Sequence, residues 1–96
     1  MDGMNVSCCL HRFFRKSAQD PRIGKSHLAV YIALLQRWYE HEYRSPLRMF
    51  ARDGARAARV SVATYHQCII DLHQMGYLRY RPSFRSDIGS QIEFFR

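Results

Sequence analysis

Acidic residues are scarce in this chain of 96 residues: eight Asp and Glu stand against fifteen Lys and Arg, for a net charge of +7. Lysine is scarce too, since thirteen of those fifteen cations are Arg. Arg carries the planar fork that meets phosphate, and the isoelectric point near 9.8 lies above the ~9 that flags nucleic-acid binders. Cysteine is limited to Cys8, Cys9 and Cys68, an odd number without framework spacing, which argues against a disulfide scaffold. No C-x₂-C pair and no H-x₃₋₅-H pair occurs, so a metal site is not expected. No apolar run approaches the ~18 residues of a membrane span. The short "VSCCL" follows Asp2 and does not make a signal peptide. A cytoplasmic protein without a membrane partner is therefore expected, associated with the nucleoid when bound to DNA. Nucleophile elbow, phosphate loop and zinc-protease motif are all missing, so neither an enzyme nor a cofactor or small-molecule ligand is expected.

What is present is a globular composition, 47% hydrophobic and 14% aromatic, sized for a single domain over 1–96. Residues 1–6 read as a loose terminus. Leu10, Phe13 and Phe14 recur at helical spacing, predicting an N-terminal helix over 8–19. Leu28, Tyr31, Ile32, Leu35, Trp38 and Tyr39 predict a long helix over 25–43, with Ser26 as its cap. Leu47 and Met49 alternate as a brief strand after Pro46. A helical pattern resumes at 50–58 despite Gly54, which costs about 1 kcal/mol against Ala. Ser61 caps the next helix, whose stripe Tyr65, Cys68, Ile69, Leu72 and Met75 runs to Gly76, a suitable C′ residue. "YLRYR" and "QIEFF" then flank a loop, predicting a hairpin over 77–95. The expected fold is mainly α with a small β-hairpin wing: a winged helix-turn-helix, with the helix-turn-helix over 50–75.

Within it, "ARAARVSVATYHQCI" resembles the bacterial helix-turn-helix pattern of a small residue, a turn, Val-Ser and Thr. Ala55 is the small residue, Val60 the plug, Ser61 the cap. Many members carry Gly where this chain has Arg59, which would be strained at positive φ. Together with "IGKSHLAVYIALLQRWYEH" and "PSFRSDIGSQIEFF", the chain from about residue 10 to 95 is similar to small winged helix-turn-helix transcriptional regulators of Bacteroidetes, often associated with mobile elements. The resemblance implies a bacterial DNA-binding protein that acts in transcription regulation or as a mobile-element accessory factor.

The candidate interface follows from helical phase. If Tyr65, Cys68, Ile69 and Leu72 face the core, then Val62, Ala63, His66, Gln67 and Ile70 face outward. Val62, Ala63, His66 and Gln67 of a recognition helix over 61–75 are the expected base contacts in the major groove. Arg52, Arg56, Arg59 and Ser61 are the expected backbone contacts beside it, while Arg48 belongs only by spacing. Arg79, Arg81 and Arg85 belong to the wing, on backbone or minor groove. The competing expectation for the arginines is surface pairing with Glu40, Glu42 or Asp71. Ile70 would pack on the wing or on a partner subunit. The expected partner is double-stranded DNA. The alternative is a winged-helix protein–protein interaction module without DNA binding. The aromatic N-terminal helix is expected either to cover the long helix or to form the contact of a homodimer.

Overall fold

The computed structural model describes residues 6–83, 85 and 87–95. Among them the order is α1 (Val6–Ser17), α2 (Lys25–Glu40), β1 (Leu47–Met49), α3 (Ala51–Ala58), α4 (Val62–Gln74), β2 (Leu78–Arg81) and β3 (Ser90–Phe94). The architecture is mainly helical with a small antiparallel sheet. That sheet has three strands in the order β1-β3-β2, where the sequence predicts the brief strand and the hairpin but not their pairing. β1 joins because Leu47 and Met49 are buried and pair with Ile92 and Ser90. Three residues make a complete strand once an existing hairpin offers an edge.

Three helix ends share one device. After α4, Gly76 takes φ 83°; its N–H reaches His73 O at 3.2 Å and the Tyr77 N–H reaches Leu72 O at 2.9 Å. These are the two bonds of a Schellman cap. The same pair closes α3, with Arg59 in the left-handed position at φ 62° and Val60 N–H on Ala55 O at 3.0 Å. It closes α2 as well, with Glu42 at φ 57° and Tyr43 N–H on Trp38 O at 2.9 Å. Hence α2 stops at Glu40 rather than continuing to 43. Its start also differs from expectation. Gly24, not Ser26, is the N-cap, and the His27 ring accepts the Gly24 N–H at 3.0 Å through Nδ1.

α1 begins and ends two residues before the expected 8–19. It covers α2. Cys9 and Phe13 are buried, and the Phe13 ring stacks on Tyr31 at 4.1 Å between centroids. Tyr31 meets Phe94 edge-on at 5.6 Å, and Trp38 lies 4.9 Å from Phe94. An aromatic column thus links α1, α2 and β3. Polar ties hold α1 from its other side: Lys16 Nζ donates to Met75 O and Gly76 O, both at 3.1 Å, and Arg12 Nη1 donates to Phe95 O at 3.0 Å. Lys16 thereby caps the carbonyl end of α4, where a cation is favoured.

Candidate nucleic-acid interface

α3 and α4 meet at a close crossing, and the residue types there decide how close. Gly54 and Ala55 are both buried. A Cβ on Gly54 would lie 2.6 Å from Tyr65 Cζ and 2.8 Å from its Oη. By sequence, Ala55 is the small residue of the helix-turn-helix pattern and Gly54 only a cost to helix propensity. The structure gives Gly54 a reason: only a bare backbone admits the Tyr65 ring. That ring is buried, and burial raises its phenol pKa.

α4 starts on a well-made cap. Ser61 Oγ accepts the Thr64 N–H at 3.0 Å and donates to Thr64 Oγ1 at 3.0 Å. The hydroxyl's one proton is thus spent inside the helix start. What Ser61 can offer to a phosphate is its backbone N–H, not the side chain.

The two faces of α4 divide as the apolar spacing requires. Tyr65, Cys68, Ile69 and Leu72 are buried, and burial raises the Cys68 thiol pKa. Val62, Ala63, His66, Gln67 and Ile70 are exposed, with Val62 at 46% and Ile70 at 38%. Val62 and Ile70 thus place apolar surface on the same outward face as His66 and Gln67.

Gln67 has company that sequence reasoning missed. Its Nε2 donates to Asp71 Oδ1 at 2.8 Å. The other oxygen, Oδ2, lies 2.9 Å from His27 Nε2. His27 Nδ1 is occupied as acceptor of the Gly24 N–H, so Nε2 carries the proton and donates. The His27 bond is the main cause of an Asp71 pKa held below the usual carboxylate range, with Gln67 adding to it. Asp71 therefore serves a brace between α2 and α4 rather than a surface arginine. The i, i+4 spacing of Gln67 and Asp71 carried a signal; the pairing with His27, 44 residues away, carried none.

The arginines fall into two groups. Arg52 and Arg56, four apart on α3, and Arg59 after it are exposed. None of the three has a carboxylate partner among the described residues; Arg52 leans on the Phe50 ring, 5.8 Å from its centroid. Two arginines of the hairpin behave otherwise. Arg79 reaches Glu93 at 3.6 Å, and Arg85 holds Asp87 through two bonds of 3.1 and 2.7 Å. The surface-pairing expectation thus describes these two, with Glu93 and Asp87 as the acids instead of Glu40, Glu42 or Asp71. Arg81 is exposed and stands opposite Gln91. Arg48 stands opposite the same Gln91 from the other side, so the two share the outer face of the sheet. Arg48 accordingly joins a sheet row and not the α3 face.

Among the described residues no group of three His, Cys, Asp or Glu could hold a metal ion, and no helix is long and apolar enough to cross a membrane. No family model, curated protein or solved structure matches the chain.

Proposed function

We propose that the chain is a winged helix-turn-helix that binds double-stranded DNA in a sequence-specific way, as a transcriptional regulator or a mobile-element accessory factor. The observation that carries this reading is the set of three exposed arginines without acid partners, Arg52, Arg56 and Arg59, placed directly ahead of an outward α4 stripe that holds His66 and Gln67. The element order and the β1-β3-β2 sheet support it. In this reading α4 lies in the major groove, the arginine face meets phosphates, and the β2–β3 hairpin is the wing. His66 donates to a guanine acceptor, Gln67 meets a base edge, and Val62 or Ala63 touches a thymine methyl. Among the described residues Arg81 is the hairpin arginine with no acid bound, while Arg79 and Arg85 must first leave Glu93 and Asp87.

A second reading is a protein-interaction module, favoured by exposed Val62 and Ile70 on the same face. Fluorescence titration of preferred and scrambled duplexes over a salt series separates the two. Replacing Arg52 and Arg56 with Ala should weaken all duplexes alike and lower the salt slope by about 1 per lost contact. His66→Ala should cost about 1–3 kcal/mol on the preferred site and little on scrambled DNA. Absence of wild-type binding at low salt would leave the protein-interaction reading standing. An unchanged slope in the double mutant would make the arginine face a solvated one.

A further inference from the structure

The chain Gly24–His27–Asp71–Gln67 ends on an exposed side chain, and its chemistry fixes how that side chain is presented. Asp71 is an ionised carboxylate and can only accept. The Gln67 amide must therefore turn Nε2 toward it, as the 2.8 Å contact shows. The opposite orientation would set Oε1 against a carboxylate oxygen. Asp71 cannot swing away to release the amide without also breaking its 2.9 Å bond with His27. Among the described residues, no protein donor reaches Gln67 Oε1. What remains for a partner is an acceptor, Oε1, and the second Nε2 proton.

We propose that Asp71 is a positioning residue: it locks the Gln67 amide so that α4 selects a base carrying an exocyclic amino group in the major groove, adenine before cytosine. This rests on the DNA-binding reading and adds to it the base class and the residue that sets it. Adenine offers the N6 amino donor to Oε1 and the N7 acceptor to the free Nε2 proton; cytosine offers only its N4 donor. Guanine and thymine present acceptors, O6 with N7 and O4, which would face Oε1 acceptor to acceptor. A freely rotating Gln67 would turn Nε2 outward and tolerate them. With one Nε2 proton held by Asp71, guanine or thymine is left only the second proton and sets an acceptor beside Oε1, so the brace beneath α4 is a source of discrimination.

A selection from random duplexes with the wild type, repeated with Gln67→Ala, identifies the position Gln67 reads as the one whose preference disappears. That position should be adenine or, second, cytosine; guanine or thymine there would overturn the proposal without any further variant. Asp71→Asn should then reduce discrimination at that position alone by about tenfold, with binding to scrambled duplexes unreduced because a negative charge has been removed. In the Gln67→Ala background, Asp71→Asn should add nothing, which a general structural effect would not reproduce. Loss spread over all positions, or loss persisting without Gln67, would overturn it. A wild type that binds no duplex, or binds with no preference anywhere, would remove the DNA-reading interpretation together with this one. A clear preference with the wrong base at the Gln67 position would remove this one only.

Discussion

Gly54 and Arg59 are the two residues whose local cost is plainest, and both lie beside the candidate interface. Glycine inside α3 gives up helix propensity, yet the Tyr65 ring occupies the space a Cβ would need. Gly54→Ala should therefore destabilise by about 1–3 kcal/mol through overpacking, against a propensity gain of about 1 kcal/mol. Urea denaturation would show a lower midpoint, and a raised one would mean the ring moves aside freely. Arg59 presents the opposite case. Its φ of 62° suits glycine, and a side chain there raises the backbone energy. Arg59→Gly should stabilise by about 0.5–1 kcal/mol, the relief of αL strain less the added freedom of the unfolded chain. If Arg59 meets a phosphate, the same change should weaken DNA binding. A thermal melt and a duplex titration on one sample set would reveal that trade. A variant neither more stable nor weaker in binding would mean that Arg59 carries neither strain nor contact.

At the scale of elements, the turn between α1 and α2 is held by Asp20. Its carboxylate accepts from Arg22 Nε at 2.8 Å and Nη2 at 2.9 Å, and from the Tyr77 hydroxyl at 3.1 Å. The Arg22 bonds are the chief reason its pKa lies far below the ordinary carboxylate value. Burial, then the bond to Asp20, pushes the Tyr77 phenol up to about 12. A carboxylate with a depressed folded-state pKa contributes stability that is complete above the unfolded value of about 3.9. That contribution is lost as pH falls toward the folded value. Asp20→Asn should thus melt below the wild type at neutral pH, and the gap should narrow on acidification from about pH 5 to about pH 2. A gap constant with pH would separate Asp20 from the acid response. The legibility of the elements tracks their stop signals. α4 was readable because Ser61 and Gly76 are ordinary punctuation for a helix. α2 was overrun because Glu42 takes the left-handed position that glycine usually marks. Ser26 was a reasonable cap by residue type, but the His27 ring satisfies the Gly24 N–H, a task seldom assigned to histidine. β1 was visible as a strand and its sheet partner was not, because Leu47 pairs with Ile92 far along the chain. The outward stripe of α4 followed from helical phase alone. The pairing of Arg79 and Arg85 with Glu93 and Asp87 depended on hairpin register and local loop geometry, which periodicity does not supply.

For the whole molecule, the open matter is association, and α1 bears on it most directly. Two uses for its apolar residues were expected: covering α2, or joining a second copy. Phe13 is 2% exposed and Cys9 likewise 2%, so the apolar face is consumed inside one chain. Phe14 stays 47% exposed, a single ring beside Arg12 and Arg15, and one exposed ring does not make a stable interface, which needs on the order of 800 Å² from each partner. The other large exposed apolar side chains among the described residues, Ile32, Tyr39, Val62, Ile70, Ile88 and Phe95, are divided among α2, α4 and the two flanks of β3. A net charge of +7 adds mutual repulsion at low ionic strength. A homodimer assembled in free solution would have to use a surface other than the buried face of α1. The expected outcome is therefore a monomer without DNA, with paired copies arising only where two half-sites about one helical turn apart bring them together. Light scattering at tens of micromolar should return a mass near 11.4 kDa, and, on addition of a duplex carrying a duplicated site, the mass of that duplex plus twice the protein mass. A doubled mass before any DNA is added would overturn this view. Phe14→Ser would then identify the contact: restoration of the monomer would place the dimer on α1, and an unchanged dimer would shift it to the exposed apolar side chains of α2, α4 or the flanks of β3.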